Sequence, residues 1–168
     1  MTISSANNSL KRYTAIVMSL IRTSDIASRY LELKMGKNVS GSIKTPIQFA
    51  VINALCQRSG RKTPTAVSKW MFRATHTITS MLDTLERKQL VRREANKKDR
   101  RSINIIVTDL GKENNRKMIP IAEEISREVL SCLEDEQLEA INDILRQIRK
   151  HLLKQIDNAS PPFRKEPL

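Results

Sequence analysis

From about Ser9 to Lys34 the apolar positions Leu10, Tyr13, Val17, Leu20, Ala27 and Leu31 recur at three- and four-residue spacing, interrupted at Ser24. That period predicts one long amphipathic helix. Thr45-Pro46 supplies an N-cap followed by proline at the first helical position, and Ile47, Val51, Ile52 and Leu55 give the next helix an inward face that lasts until Gly60. The same pair recurs at Thr63-Pro64, opening a short helix with Val67, Trp70 and Met71 on one side. Ile78, Met81, Leu82 and Leu85 follow at i, i+3, i+4 and i+7, which turns Thr75, His76, Thr79, Ser80 and Asp83 outward. Two short helices across a tight turn predict a helix-turn-helix.

Two β-prone runs, Leu90 to Glu94 and Ile103 to Thr108, flank the polar segment Ala-Asn-Lys-Lys-Asp-Arg-Arg-Ser. A basic hairpin behind a helix-turn-helix is a wing. Thr108 is placed to cap another helix carrying Met118, Ile121, Ile125 and Val129, with a kink predicted near Pro120, where an N–H is missing. Leu138, Ile141, Leu145, Ile148 and Leu152 then follow 3,4,3,4 spacing in a segment that also holds Ile144, Leu153 and Ile156, a wider stripe than one helix needs for its own domain. Gly36, Gly41 and Gly60 coincide with breaks in periodicity and are expected to mark helix ends. The tail from Asn158 to Leu168 has too little apolar content to fold alone and is expected to be mobile. The fold class is therefore mostly α with a small β-hairpin wing.

Composition narrows the function. The 168 residues hold 30 Lys+Arg against 18 Asp+Glu, a formal charge of +12. Between Arg58 and Arg101 there are 13 bases and four acids, so this quarter of the chain carries +9 and the rest only +3. Charge this local suits docking to an anionic partner, and the bases flank a helix whose outward face is Thr, His, Thr and Ser, short enough to enter a major groove. Only six residues are aromatic, which argues against a flavin or haem pocket. No Gly-rich phosphate loop, nucleophile motif or acid/base pair stands out, and Cys56, His76, Cys132 and His151 are too scattered for a metal site. No enzyme activity, cofactor or metal is expected. Cys56 and Cys132 fall in apolar stripes and are expected to be buried structural thiols in a reducing compartment. No apolar run approaches the roughly 20 residues that span a bilayer, and the N-terminus lacks a signal-peptide core, so a cytoplasmic protein without a membrane partner is expected.

Several motifs in one order resemble the MarR family of winged-helix transcriptional regulators. The stretch from Thr77 to Val91 resembles the family's recognition helix and its exit into the wing, Asp99-Arg100-Arg101 the wing's Asp-x-Arg signature, and Thr108-Asp109-Leu110-Gly111 the start of the following helix. The resemblance covers roughly Thr45 to Gln155 and departs from the family at Gln89, where glycine is usual, and at Ala74, where a capping serine is common. It implies a homodimer with a winged lobe at 45–108, dimerisation helices at 1–44 and 109–157, and the mobile tail at 158–168. Leu10, Tyr13, Val17, Leu138, Ile141, Leu145, Ile148 and Leu152 would then form the dimer interface, which accounts for the surplus apolar stripes.

By the same resemblance Arg101 would reach the minor groove, Asp99 would support the wing through ion pairing, and Arg100 would share either task. The expected contacts to double-stranded DNA are Arg73, Thr75, His76, Thr77, Thr79, Ser80, Lys97, Lys98, Arg100 and Arg101, the two lysines gripping phosphate rather than reading sequence. Relatives often bind a small anionic aromatic effector between the dimerisation helices and the lobe, though the sequence identifies no pocket for one. The expected function is a repressor at a pseudo-palindromic operator, because occluding a promoter requires only binding. Two alternatives stay open: a winged helix used for protein association, and a nonspecific nucleoid or RNA-binding protein.

Overall fold

Threonine caps lay out the chain. A computed structural model describes residues 3–38, 42–60, 62–95 and 103–159 and gives the order α1 (Ile3–Asn38), α2 (Pro46–Gln57), α3 (Pro64–Met71), α4 (Thr75–Arg87), β1 (Val91–Ala95), β2 (Ile103–Val107), α5 (Asp109–Leu130) and α6 (Asp135–Ala159). Thr45, Thr63 and Thr108 each accept a main-chain N–H three residues on, from Gln48 at 3.3 Å, Ala66 at 3.1 Å and Gly111 at 3.0 Å, while Pro46 and Pro64 open α2 and α3. Each cap satisfies an N–H that the first helical turn leaves without a partner. The fold is mostly helical with one antiparallel hairpin, as the periodicity predicts.

The core is aliphatic. Val51, Ile52 and Leu55 of α2, Val67 of α3, Ile78, Leu82 and Leu85 of α4, and Ile105 of β2 are all fully buried, closed off by Met35 of α1 and by Met118 and Ile125 of α5. Ile47, Trp70, Met71 and Met81 are half-buried at its edge. In the hairpin Val91 pairs with Val107 and Ala95 with Ile103. An additional rung, from the Ile105 N–H to the Lys62 carbonyl at 2.8 Å, ties β2 to the segment that leads into α3.

The junction of α4, the wing and α5 is the tightest point. Gln89 adopts the left-handed conformation at φ 59°, and the N–H groups of Gln89 and Leu90 bond the carbonyls of Glu86 and Leu85 at 2.8 and 3.0 Å. This is a Schellman ending, so Gln89 does the work of a glycine and bears the steric cost of its Cβ, on the order of 1 kcal/mol. The Leu90 carbonyl then accepts the Thr108 N–H at 3.1 Å, and the Thr108 hydroxyl donates to the adjacent Gln89 carbonyl at 2.7 Å. A Cβ on Gly111 would lie 2.1 Å from that same oxygen. Only glycine lets α5 approach this closely.

The expectations at Gly36, Cys56 and Cys132 need correction. Gly36 does not end α1, which continues to Asn38, because the neighbouring Met35 is anchored in the core at 2% exposure and that packing outweighs the glycine cost of about 1 kcal/mol. Gly60, at φ 92°, does lie in the turn beyond α2, and Gly41 falls outside the described residues. Cys56 and Cys132 are exposed rather than buried: Leu55 takes the interior position in the last turn of α2, and Cys132 falls in the turn between α5 and α6. The surrounding protein still pushes the Cys56 thiol up, which lowers its thiolate fraction. Helix α5 runs unbroken through Pro120, whose ring leaves the Arg116 carbonyl without its usual i+4 donor. No helix among the described residues is long and apolar enough to cross a membrane, and the tail expected to be mobile lies outside them beyond Ala159.

Substituting the two residues of the junction should have opposite effects on thermal or urea unfolding. Gln89→Gly should stabilise by about 1 kcal/mol by releasing the left-handed strain. Gly111→Ala should destabilise by roughly 3 kcal/mol or more, since the overpacked atom is a main-chain oxygen that cannot swing aside. Equal shifts of the same sign would contradict this account of the junction.

Candidate nucleic-acid interface

Helix α4 is set by a second left-handed residue. Phe72, at φ 50° and 56% exposed, ends α3, with its own N–H and that of Arg73 bonding the carbonyls of Lys69 and Ser68 at 3.3 and 3.0 Å. Ser68 is 5% exposed and donates its hydroxyl to the Thr65 carbonyl at 2.8 Å. Its one proton is thereby used, so Thr75 is the donor in the 3.1 Å contact between the two hydroxyls. Thr75 therefore locks α3 to α4 instead of capping the helix. Ala74 provides no side-chain cap either, and the main-chain N–H groups at the start of α4 precede the first intrahelical bond, from Ile78 to Ala74. An uncapped helix start directs partial positive charge outward.

The outward face of α4 divides by availability. Thr79 is half-buried and donates its hydroxyl to the Thr75 carbonyl at 2.9 Å, leaving its methyl group to face outward. His76, Thr77 and Ser80 are exposed and, among the described residues, make no side-chain hydrogen bond. Arg73 is exposed in the turn just ahead of them. Five expected wing residues, Lys97, Lys98, Asp99, Arg100 and Arg101, lie outside the described residues. The structure thus brings together the α4 group and Arg73 and describes the wing only up to Ala95 and from Ile103.

A wing support that the sequence reading missed sits at the base of the hairpin. Arg93 of β1 reaches back to α4, where its Nη2 meets Asp83 Oδ1 at 2.6 Å and its Nη1 meets Glu86 Oε2 at 2.9 Å. Glu86 Oε1 also accepts the Arg93 main-chain N–H at 3.0 Å. The signal was present as two acids one helical turn apart followed by an arginine in the strand, yet in the charge count Arg93 appeared only as one more base. Arg92 pairs with Glu94 at 2.7 Å, and Arg58 lies over the Trp70 ring at 5.1 Å. Cations free to meet an anion in this segment are therefore fewer than the raw count.

Between α2 and α5 runs a groove of about 500 Å³ lined by Phe49, Asn53, Gln57, Ile119, Glu123 and Arg127. At its α2 side Asn53 Oδ1 accepts Gln57 Nε2 at 3.2 Å and Asn115 Nδ2 at 3.3 Å. The buried Asn115 Oδ1 has no hydrogen-bond partner among the described residues. No cluster of metal-ligating side chains occurs among them.

The apolar stripes expected at a dimer interface face solvent on the single chain. Leu10, Tyr13 and Val17 of α1 and Ile141, Leu145 and Leu152 of α6 are exposed, and Leu138 and Ile148 are half-buried. Helix α6 packs little against the rest of the chain.

Comparison with known proteins agrees with this geometry. Residues 45–103 match the MarR family. The chain is similar to the HTH-type transcriptional regulator PecS of Dickeya dadantii (strain 3937), with 35% identity over 77 residues that make up 46% of each chain, so the match spans about half of that relative. Among solved structures it is similar to Sco3205 of Streptomyces coelicolor, a MarR family transcriptional regulator in complex with DNA, with a TM-score of 0.73 and 21% identity over 83% of this chain and 86% of that one. It is also similar to BpsR of Bordetella bronchiseptica, whose DNA binding is regulated by 6-hydroxynicotinic acid, with a TM-score of 0.69 and 21% identity over 80% and 92% of the two chains. Identities this low establish a shared fold.

If Arg93 secures the wing, Arg93→Ala should lower hydrogen-exchange protection of the β1–β2 amides about fivefold, the effect of roughly 1 kcal/mol for a partly exposed pair, and leave α2 protection unchanged. Unaltered protection in the hairpin would show that the wing is held by other interactions.

Proposed function

We propose that this chain, whose residues 45–103 match the MarR family, is a MarR-type sequence-specific repressor that binds a pseudo-palindromic operator as a homodimer in the cytoplasm. The observation that carries this reading is the outward face of α4: short polar side chains on an uncapped helix, with Arg73 beside them and the wing base clamped behind. His76, Thr77 and Ser80 are sized to reach base edges, the Thr79 methyl suits a thymine methyl, and the helix start with Arg73 suits a phosphate. The wing residues Lys97, Lys98, Arg100 and Arg101 would extend the grip along the backbone, with Asp99 supporting them.

Homodimerisation is supported by the exposed stripes of α1 and α6. A 25-residue helix with little tertiary packing is marginal in water, and its apolar stripe needs a cover. A second copy presents the same stripes and would set two lobes on half-sites about one helical turn, roughly 34 Å, apart. The α2–α5 groove joins the lobe to α5 and offers both Arg127 and Glu123 to a small effector. Such a ligand would act by favouring a lobe spacing that no longer fits both half-sites.

Selection of duplexes from a random-sequence pool, followed by titration at about 150 mM salt, tests the reading. Enriched sequences should contain two inverted half-sites and bind 10³-fold or more tightly than scrambled duplexes, the usual range for specific readers. Failure to enrich any sequence, with equal weak binding throughout, would defeat it.

A further inference from the structure

The far end of α4 carries a group of cations that no part of the α4 reading face uses. Lys88, at the C-cap, is half-buried, and its Nζ donates to the Ser42 carbonyl at 2.7 Å and to Gln48 Oε1 at 3.4 Å. Gln48 Oε1 also accepts the Lys44 main-chain N–H at 3.0 Å, so one amide draws the segment before α2 onto the end of α4. Lys44 and Arg87 are both exposed beside this staple. Arg87 donates to its neighbour Thr84 at 3.2 Å, and among the described residues neither it, Lys44 nor Lys88 pairs with a carboxylate. Burial, with Lys44 and Arg87 close by, pushes the Lys88 ammonium down, as expected of three cations gathered without a counter-ion.

Helical spacing places this group in line with the reading face. His76, Ser80, Asp83 and Arg87 follow one another at four, three and four residues, a single stripe along α4. The only acid of the stripe, Asp83, is engaged by Arg93 at 2.6 Å, so its charge does not repel an anion from the end of the helix. A duplex lying along the first turns of α4 would continue toward Arg87 and Lys44.

We propose that Lys44 and Arg87, gathered around the Lys88 staple, form a second backbone-contacting site that grips a phosphodiester of duplex DNA beyond the stretch read by the groove-facing residues. This inference rests on the DNA-binding reading above. A flexible ammonium and an exposed guanidinium supply affinity and register without sequence information. Such a site strengthens binding to every duplex alike and steepens its dependence on salt.

The test compares wild type, the Lys44→Gln/Arg87→Gln double variant and an Arg116→Gln/Lys117→Gln control that removes equal charge from exposed positions on α5. Each is titrated between 50 and 200 mM salt against an enriched duplex and a mixed-sequence duplex of equal length, with thermal unfolding followed in parallel. The first pair should lose affinity about tenfold on both duplexes and lower the log–log salt slope by roughly one for each phosphate no longer gripped, with an unchanged melting temperature because the Lys88 staple remains. The control should retain the wild-type slope. Equal losses in both pairs would reduce the effect to net charge and overturn the proposal, as would no loss in either. If wild type itself shows no salt-dependent binding to any duplex, the DNA-binding reading falls together with the proposal.

Discussion

The main chain of Leu90, its N–H and its carbonyl together, is the fixed point on which the presentation of this surface depends. Helix α4 ends on its N–H, which bonds the Leu85 carbonyl in the Schellman turn, β1 follows directly, and the Thr108 N–H returns to its carbonyl from the end of β2 while the Thr108 hydroxyl holds the neighbouring Gln89 carbonyl. Gly111 brings α5 so close that no side chain fits between. Helix α4, wing and the first turn of α5 thus meet at one buried residue. A displacement of any of them must disturb a satisfied hydrogen-bond acceptor in the interior, which costs more than the thermal energy available to a surface loop. The strain accepted at Gln89 is the local cost of that arrangement.

Around this point the charges have separate duties. Arg93 is neutralised by Asp83 and Glu86 and holds the hairpin to α4, so it stabilises geometry. In the proposed function the cations near α4 that pair with no carboxylate among the described residues would serve attraction, and the face between them is almost uncharged. This division suits a reader of duplex DNA: phosphate contacts supply strength and orientation, while short polar groups discriminate base edges. The surplus apolar stripes of α1 and α6 lie elsewhere on the chain and leave that face clear.

Features of local origin were legible in the sequence. The Thr-Pro starts of α2 and α3, the Thr108 cap and the inward stripe of α4 depend on residues within one or two turns, and each is where the pattern puts it. Features decided by tertiary packing were not. Gly36 looked like a stop because a lone glycine weakens a helix, yet Met35 is held by the core from the other side. Cys56 stands in an apolar stripe whose interior position belongs to Leu55. Thr75 looked like a groove contact, while Ser68 seven residues earlier takes its hydroxyl. Arg93 looked like one more base until the strand brought it within reach of two acids. For Gly36, Thr75 and Arg93 the deciding partner sits on another element, beyond the span that periodicity can read.

The central claim is that one rigid reading unit per chain is presented twice by a dimer. Hydroxyl-radical footprinting of the protein on its enriched duplex tests this most directly. The account predicts two protected patches on one face of the DNA, centred about 10 to 10.5 base pairs apart or a multiple of that. A single patch at saturating protein, or diffuse protection without a repeat, would contradict it.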